Sequence, residues 1–198
     1  DCLFAVLEGM EMDLDKNRYA TFDELRRYCE CVASAVGVAC VHIWGFSGRE
    51  TPEAAAVFHS AQQVGIALQL TNILRDLKED VAANRVYLPE EDFRAVGYSV
   101  AELFRGEANP AFARLMSRSI ARAEDHYSAA RVLYSRILPE GRRIFGLMIS
   151  TYHVILTKIA RRPAEVFRRR IGLSRFTRLR FALRWSFWPP PEPEDFTL

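Results

Sequence analysis

The stretch "ALQLTNILRDLKEDVAANRVYLP", residues 67–89, sets four polar side chains against an otherwise apolar helical pattern. At about 100° per residue, Gln69, Asn72, Asp76 and Asp80 fall within about 80° of arc. Ile66, Leu70, Ile73, Leu74 and Leu77 cover the adjoining arc, so the polar stripe borders the packing face directly. Two carboxylates one turn apart, about 6 Å along the axis, cannot occupy apolar surroundings without a counter-charge.

An all-oxygen set from Asp76, Asp80 and Asn72 suits a hard cation such as Mg²⁺. That ion usually keeps waters and binds one or two carboxylates together with substrate phosphates. Arg75 and Arg85 lie close by in sequence and can hold phosphate oxygens with both teeth of the guanidinium. A metal-bridged diphosphate beside an apolar cavity points to a substrate with a charged head and a long hydrocarbon tail. The competing reading is a solvated acidic helix end, which "DLKED" taken alone favours. Against it, Gln69 and Asn72 carry the polar line back into a helix too apolar to be exposed.

Outward from this stretch the chain reads as helix throughout. Thr51-Pro52 opens a pattern of nearly thirty residues that runs to about Asp80 with no internal proline. Upstream, Thr21-Phe22-Asp23-Glu24 has the form of a capping box. The helix it opens sets Phe22, Leu25, Cys29, Val32, Val36, Cys40 and Ile43 on one apolar face and ends near Gly45. A first pattern covers about 2–12, "VAANRVYLP" is a turn and an extended segment, and further helices are expected at about 90–96, 99–105, 110–138 and 140–160. The architecture is all-α, a large helical bundle enclosing a central apolar cavity. One domain is expected over 1–188, with a flexible tail at 189–198.

The 198 residues are 49% hydrophobic with a net charge of +2, a globular composition that gives no reason to expect a nucleic-acid partner. Cys29 and Cys31 point to different faces of a helix and form no zinc pair, so the cysteines read as buried thiols of a reducing, cytoplasmic protein. No apolar run reaches the roughly 18 residues of a membrane span. His42 and His153 lack ligand-spaced partners and read as core histidines.

"QLTNILRDLKEDVAANRVYLP" resembles the second aspartate-rich signature of the squalene/phytoene synthase family, whose members join two prenyl diphosphates head to head. "YCECVASAVG", residues 28–37, resembles the family's other signature, and "MDLDKNRYATFDEL" its connection into that helix. The resemblance covers residues 8–97 or so; the C-terminal half matches only in helical character and length. It implies the isoprenoid synthase fold and Mg²⁺ at Asp76 and Asp80, with Asn72 and Gln69 as the polar residues one and two turns earlier. Arg85 is implied as a diphosphate contact. Tyr28 opens the other signature and is implied in handling the carbocation or the departing proton, although by position alone it reads as a core tyrosine. Glu79 lies at the edge of the stripe. Tyr152, in "MISTYHVIL", reads as a side chain lining the tail cavity or as simple packing.

The resemblance implies two farnesyl diphosphates as substrates, giving presqualene diphosphate or squalene. Phytoene synthesis from geranylgeranyl diphosphate is the alternative enzyme, and a non-catalytic isoprenoid binder is the alternative class. Reduction to squalene would require NADPH, for which no GxGxxG fingerprint appears. The family has an earlier aspartate-rich motif that Asp1, Asp13 and Asp15 do not reproduce, so the chain is expected to be an N-terminally truncated piece, inactive alone, the alternative being a diverged protein that cannot bind the second diphosphate. An upstream DxxxD helix would favour the enzyme over the binder.

Near the C-terminus, Phe176, Leu179, Leu183 and Phe187 recur at helical spacing among Arg175, Arg178, Arg180 and Arg184, with Trp185 and Trp188 close by. Two readings stay open. One is an interfacial helix peripheral to an anionic membrane; the other is a terminal helix docking its apolar side on the bundle.

Overall fold

A computed structural model describes residues 1–189. The expected tail lies outside the described residues apart from Pro189. Among the described residues there are helices and two isolated bridges but no strand. No helix among them is long and apolar enough to cross a membrane.

The order is α1 Cys2–Asp15, α2 Phe22–Cys29, a π turn Glu30–Ser34, α3 Ala35–Trp44, α4 Ala54–Arg75 and α5 Leu77–Ala82. Then come α6 Glu90–Val96, α7 Val100–Phe104, α8 Pro110–Tyr127, α9 Ala129–Arg136, α10 Pro139–Arg161, a 3₁₀ turn Pro163–Phe167, and α11 Arg175–Phe187. Helix α4 is the hub and packs on α3, α8, α9, α10 and the π turn. Its buried residues lie on all sides, from Val57 and Ala61 through Val64 and Ile66 to Leu70 and Leu74, as a helix enclosed by neighbours requires.

Close approach at two glycines joins the 28–37 stretch to α4, the helix that leads into the 67–89 stretch. A Cβ on Gly65 of α4 would lie 2.6 Å from Ser34 Cα and 2.7 Å from Ser34 N in the π turn. One on Gly37 would lie 2.9 Å from the Ala61 carbonyl oxygen. Ser34 Oγ also donates to the Gln62 carbonyl at 2.8 Å.

Five expectations are corrected. The helix from Phe22 to Trp44 is interrupted by the π turn, whose extra residue rotates everything after it by about 100°. Val32, Val36 and Cys40 consequently line a cavity, Ile43 is 82% exposed, and Val41 takes the buried position. The long helix through Asp80 starts only at Ala54 and kinks at Asp76 (φ −96°, ψ 12°). The segment 110–138 divides at Ser128 into α8 and α9. At Thr21 half of the capping box forms: Thr21 Oγ accepts from Glu24 N, while the Glu24 carboxylate accepts from Ala20 N and Lys16. His42 is exposed against Phe58 and is no core residue, whereas His153 is held by Glu124 at 2.9 Å.

Candidate active site

An apolar cavity of about 190 Å³ lies between the π turn, α3, α4, α9 and α10. Val36, Cys40, Trp44, Leu68, Phe145 and Met148 supply apolar wall, and Gln69, Asn72 and Tyr152 supply its polar members. Asn72 Nδ2 donates to Gln69 Oε1 at 3.4 Å, while Asn72 Oδ1 is buried with no partner. A buried acceptor left open is costly unless something outside the protein completes it.

The kink one turn further on aims Asp76. In a regular helix, side chains adjacent in sequence diverge and do not face one another. Here Arg75 Nε and Nη2 reach both oxygens of Asp76 at 2.8 and 2.5 Å, a geometry that the local distortion permits. Arg170, arriving from the loop before α11, makes a second fork to the same carboxylate at 2.6 and 3.0 Å. Burial pushes the Asp76 pKa up, but the two guanidinium groups outweigh it and bring it down to about 2. The Arg75 guanidinium also lies 5.9 Å from the ring centroid of Tyr152, which ties the charged cluster to the cavity wall.

Asp80 has the opposite environment. Burial first, then the negative charges of Asp76, Glu79 and Asp13, raise its pKa to about 6, with Arg85 opposing. The Arg85 side chain donates to the Asp13 carbonyl at 3.3 Å and makes no hydrogen bond to the Asp80 carboxylate. Glu79 is exposed.

Asp13 organises the remaining side of the site. Its carboxylate accepts from Tyr28 Oη at 2.9 Å and from Tyr87 Oη at 2.8 Å. The rings of Tyr19, Tyr28 and Tyr87 cluster with centroids 5.2 to 5.8 Å apart. Burial, the neighbouring Tyr87 and Asp13 push the Tyr28 pKa far above its ordinary value, and burial pushes Tyr87 up to about 12. Both phenols therefore stay protonated, with their protons committed to Asp13.

The structure gathers Gln69, Asn72, Arg75, Asp76 and Tyr152 at one end of the cavity, and sets Asp80, Arg85 and Tyr28 around Asp13. Sequence reasoning missed Asp13, Tyr87 and Arg170. Tyr87 sits two residues after Arg85 within the opening stretch, and Asp13 lies in "MDLDK", a segment that does not reproduce the family's other aspartate motif. Arg170 lies 94 residues from Asp76 in an arginine run without spacing to single it out. The donors fit a hard cation, because Asn72 Oδ1 is unpartnered and Asp80 faces excess negative charge. Among the described residues no three His, Cys, Asp or Glu side chains could hold an ion unaided, so substrate oxygens would complete its shell. An ion at Asp76 would have to share or displace one arginine fork.

The fold is that of the isoprenoid synthases. A crystal structure of a dehydrosqualene synthase superposes with a TM-score of 0.80 at 25% identity, over 93% of this chain and 63% of that one. The squalene synthase of Alicyclobacillus acidocaldarius gives 0.74 at 26% identity, over 82% and 59%. The squalene/phytoene synthase family profile matches residues 1–177, and the chain belongs to that family. The chloroplastic phytoene synthase of Narcissus pseudonarcissus is 36% identical over 174 residues, which is 88% of this chain and 41% of that protein. Phytoene synthase 2 of Solanum lycopersicum is 35% identical over 170 residues, 86% and 55% respectively. The chain thus spans about half the length of these curated relatives or less.

Proposed function

We propose that this chain carries a diphosphate site and tail cavity for the head-to-head condensation of two prenyl diphosphates. The observation that carries the reading is the position of Asn72 and Gln69. They line an apolar cavity and stand one to two turns before Asp76, so one ligand can place its tail among apolar side chains and its head among charges. Asn72, Asp76 and Asp80 would hold Mg²⁺, which when bound supplies charge stabilisation to a departing diphosphate.

The rest follows from the chain's own residues. Arg75 and Arg170 are placed to receive diphosphate oxygens once either releases Asp76. Breaking the allylic C–O bond leaves a cation, which the double bond of the second substrate attacks with loss of a proton. Water must be kept from that cation, a task for Val36, Leu68, Phe145 and Met148. Tyr28 donates a hydrogen bond to Asp13, which makes its oxygen more electron-rich, and its ring face offers a cation a further attraction. As a neutral phenol, Tyr28 stabilises charge without itself being ionised.

Sequence likeness in "VASAVG" favours farnesyl diphosphate, whereas the curated relatives are named phytoene synthases and favour the longer geranylgeranyl chain as a second reading. NADPH would enter only if squalene is the final product. The test is calorimetry of the chain with farnesyl and geranylgeranyl thiolodiphosphates, with and without Mg²⁺, followed by product analysis of turnover with and without NADPH. Mg²⁺-dependent binding of either analogue is expected. Binding that ignores Mg²⁺, or no binding of either, overturns the reading.

A further inference from the structure

Helix α11 meets the bundle along one edge only. Trp185, 5% exposed, fills the space over Gly146 of α10, where a Cβ would lie 2.1 Å from the indole ring, and Phe181 packs partly beside it. On the opposite side Phe176, Leu179, Leu183 and Phe187 share about 80° of arc at 100° per residue, and they are 75, 58, 45 and 67% exposed. The side that docks is therefore not the apolar stripe that stood out in the sequence. The stripe is left uncovered among the described residues.

What flanks the stripe identifies its partner. On the same wheel Arg175 borders it on one side and Arg180 and Arg184 border it on the other, all exposed. No aspartate or glutamate occurs from Val166 to Pro191. None of the ion pairs among the described residues involves Arg175, Arg178, Arg180 or Arg184. We propose that α11 seats the protein on an anionic lipid surface, with the apolar stripe entering the acyl boundary and the arginines in the headgroup layer. Leucine and aromatic side chains meet hydrocarbon, while the long arginine stems let the charges remain among phosphates. A second copy of α11 is a poor occupant, since it would bring like-charged rims together. Helix α1 also exposes Leu3, Phe4 and Leu14, but Glu8, Glu11 and Asp15 are interspersed there, a pattern that an anionic surface repels. Helix α11 itself packs on α10, the helix that gives Phe145, Met148 and Tyr152 to the cavity, so the lipid would lie one helix away from where an apolar product is formed.

Co-sedimentation of the full chain with phosphatidylcholine vesicles, with and without phosphatidylglycerol, tests the assignment. Binding is expected only with phosphatidylglycerol and is expected to weaken as salt rises. The pair Leu179→Ser and Leu183→Ser should lower the partition about tenfold or more by removing two inserted side chains. The pair Arg180→Glu and Arg184→Glu should lower it similarly on the anionic vesicles. These positions are exposed, so helical circular dichroism should be unchanged. Wild-type protein left in the supernatant with both vesicles overturns the proposal, as does binding indifferent to both variants. A solution dimer that the leucine variant dissociates would make the face a self-interface and equally overturn it. The assay uses no substrate, so it is independent of the proposed function.

Discussion

Both carboxylate oxygens of Asp76 are held by Arg170, which lies 94 residues further along the chain, at 2.6 and 3.0 Å. The contact fastens the loop before α11 to the kink between α4 and α5 and brings a second guanidinium to the proposed diphosphate site. Arg170 is largely exposed, so its ion pair should matter little to stability, by about 0–1 kcal/mol. Arg170→Ala should therefore leave the melting temperature nearly unchanged while weakening Mg²⁺-dependent pyrophosphate binding about tenfold. Arg170→Lys should fail to restore it, because an ammonium has no planar fork. Calorimetry decides; undiminished affinity in Arg170→Ala would reduce the residue to a structural tie.

Asp80 links function to stability with a definite sign. Its folded pKa, about 6, is above the ordinary carboxylate value, so the folded state holds the proton more tightly than the unfolded state does. That contribution is fully present below the unfolded pKa and is lost as pH rises through 6. Without divalent ions, Asp80→Asn should then stabilise the protein by about 1–2 kcal/mol above pH 7, after discounting for partial exposure, and by much less near pH 4. The same variant should abolish Mg²⁺-dependent pyrophosphate release. Chemical denaturation at the two pH values in chelator is the check, and equal midpoint shifts at both would contradict the assigned burial.

Asp13 accepts hydrogen bonds from two tyrosines, a task an amide cannot fully repeat. In Asp13→Asn, one oxygen remains as acceptor while the NH₂ group faces a second donor, at a cost of about 1–3 kcal/mol. Turnover should fall mainly in kcat, because Tyr28 loses the group that orients its proton. A double-mutant cycle with Tyr28→Phe should be strongly non-additive. Additive losses would show that the two residues act separately.

Gly65 is a packing test of the join between α4 and the π turn. Adding a methyl group there drives it into the Ser34 backbone at 2.6 Å, which has no rotamer by which to give way. Gly65→Ala should destabilise by about 1–3 kcal/mol, read from the urea midpoint. By separating α4 from the π turn it should also weaken binding of a prenyl diphosphate analogue. A wild-type midpoint would mean that the two helices part at little cost.

The sequence by itself determined the helical class and the polar stripe, because these depend on spacing along one segment. Gln69, Asn72, Asp76 and Asp80 were legible for that reason, as was a starting cap at Thr21. The tertiary structure decided everything that depends on register or on distant chain. The π turn rotates Val36 and Ile43 out of the core, and periodicity cannot foresee one inserted residue in a helical turn. Asp76 takes its second guanidinium from Arg170, and Tyr28 its acceptor from Asp13, neither at a spacing that a helical repeat marks. Whether the stripe of α11 or its opposite side would dock depended on the notch at Gly146. A glycine offers room only to whatever the fold brings over it, and here the fold brings Trp185.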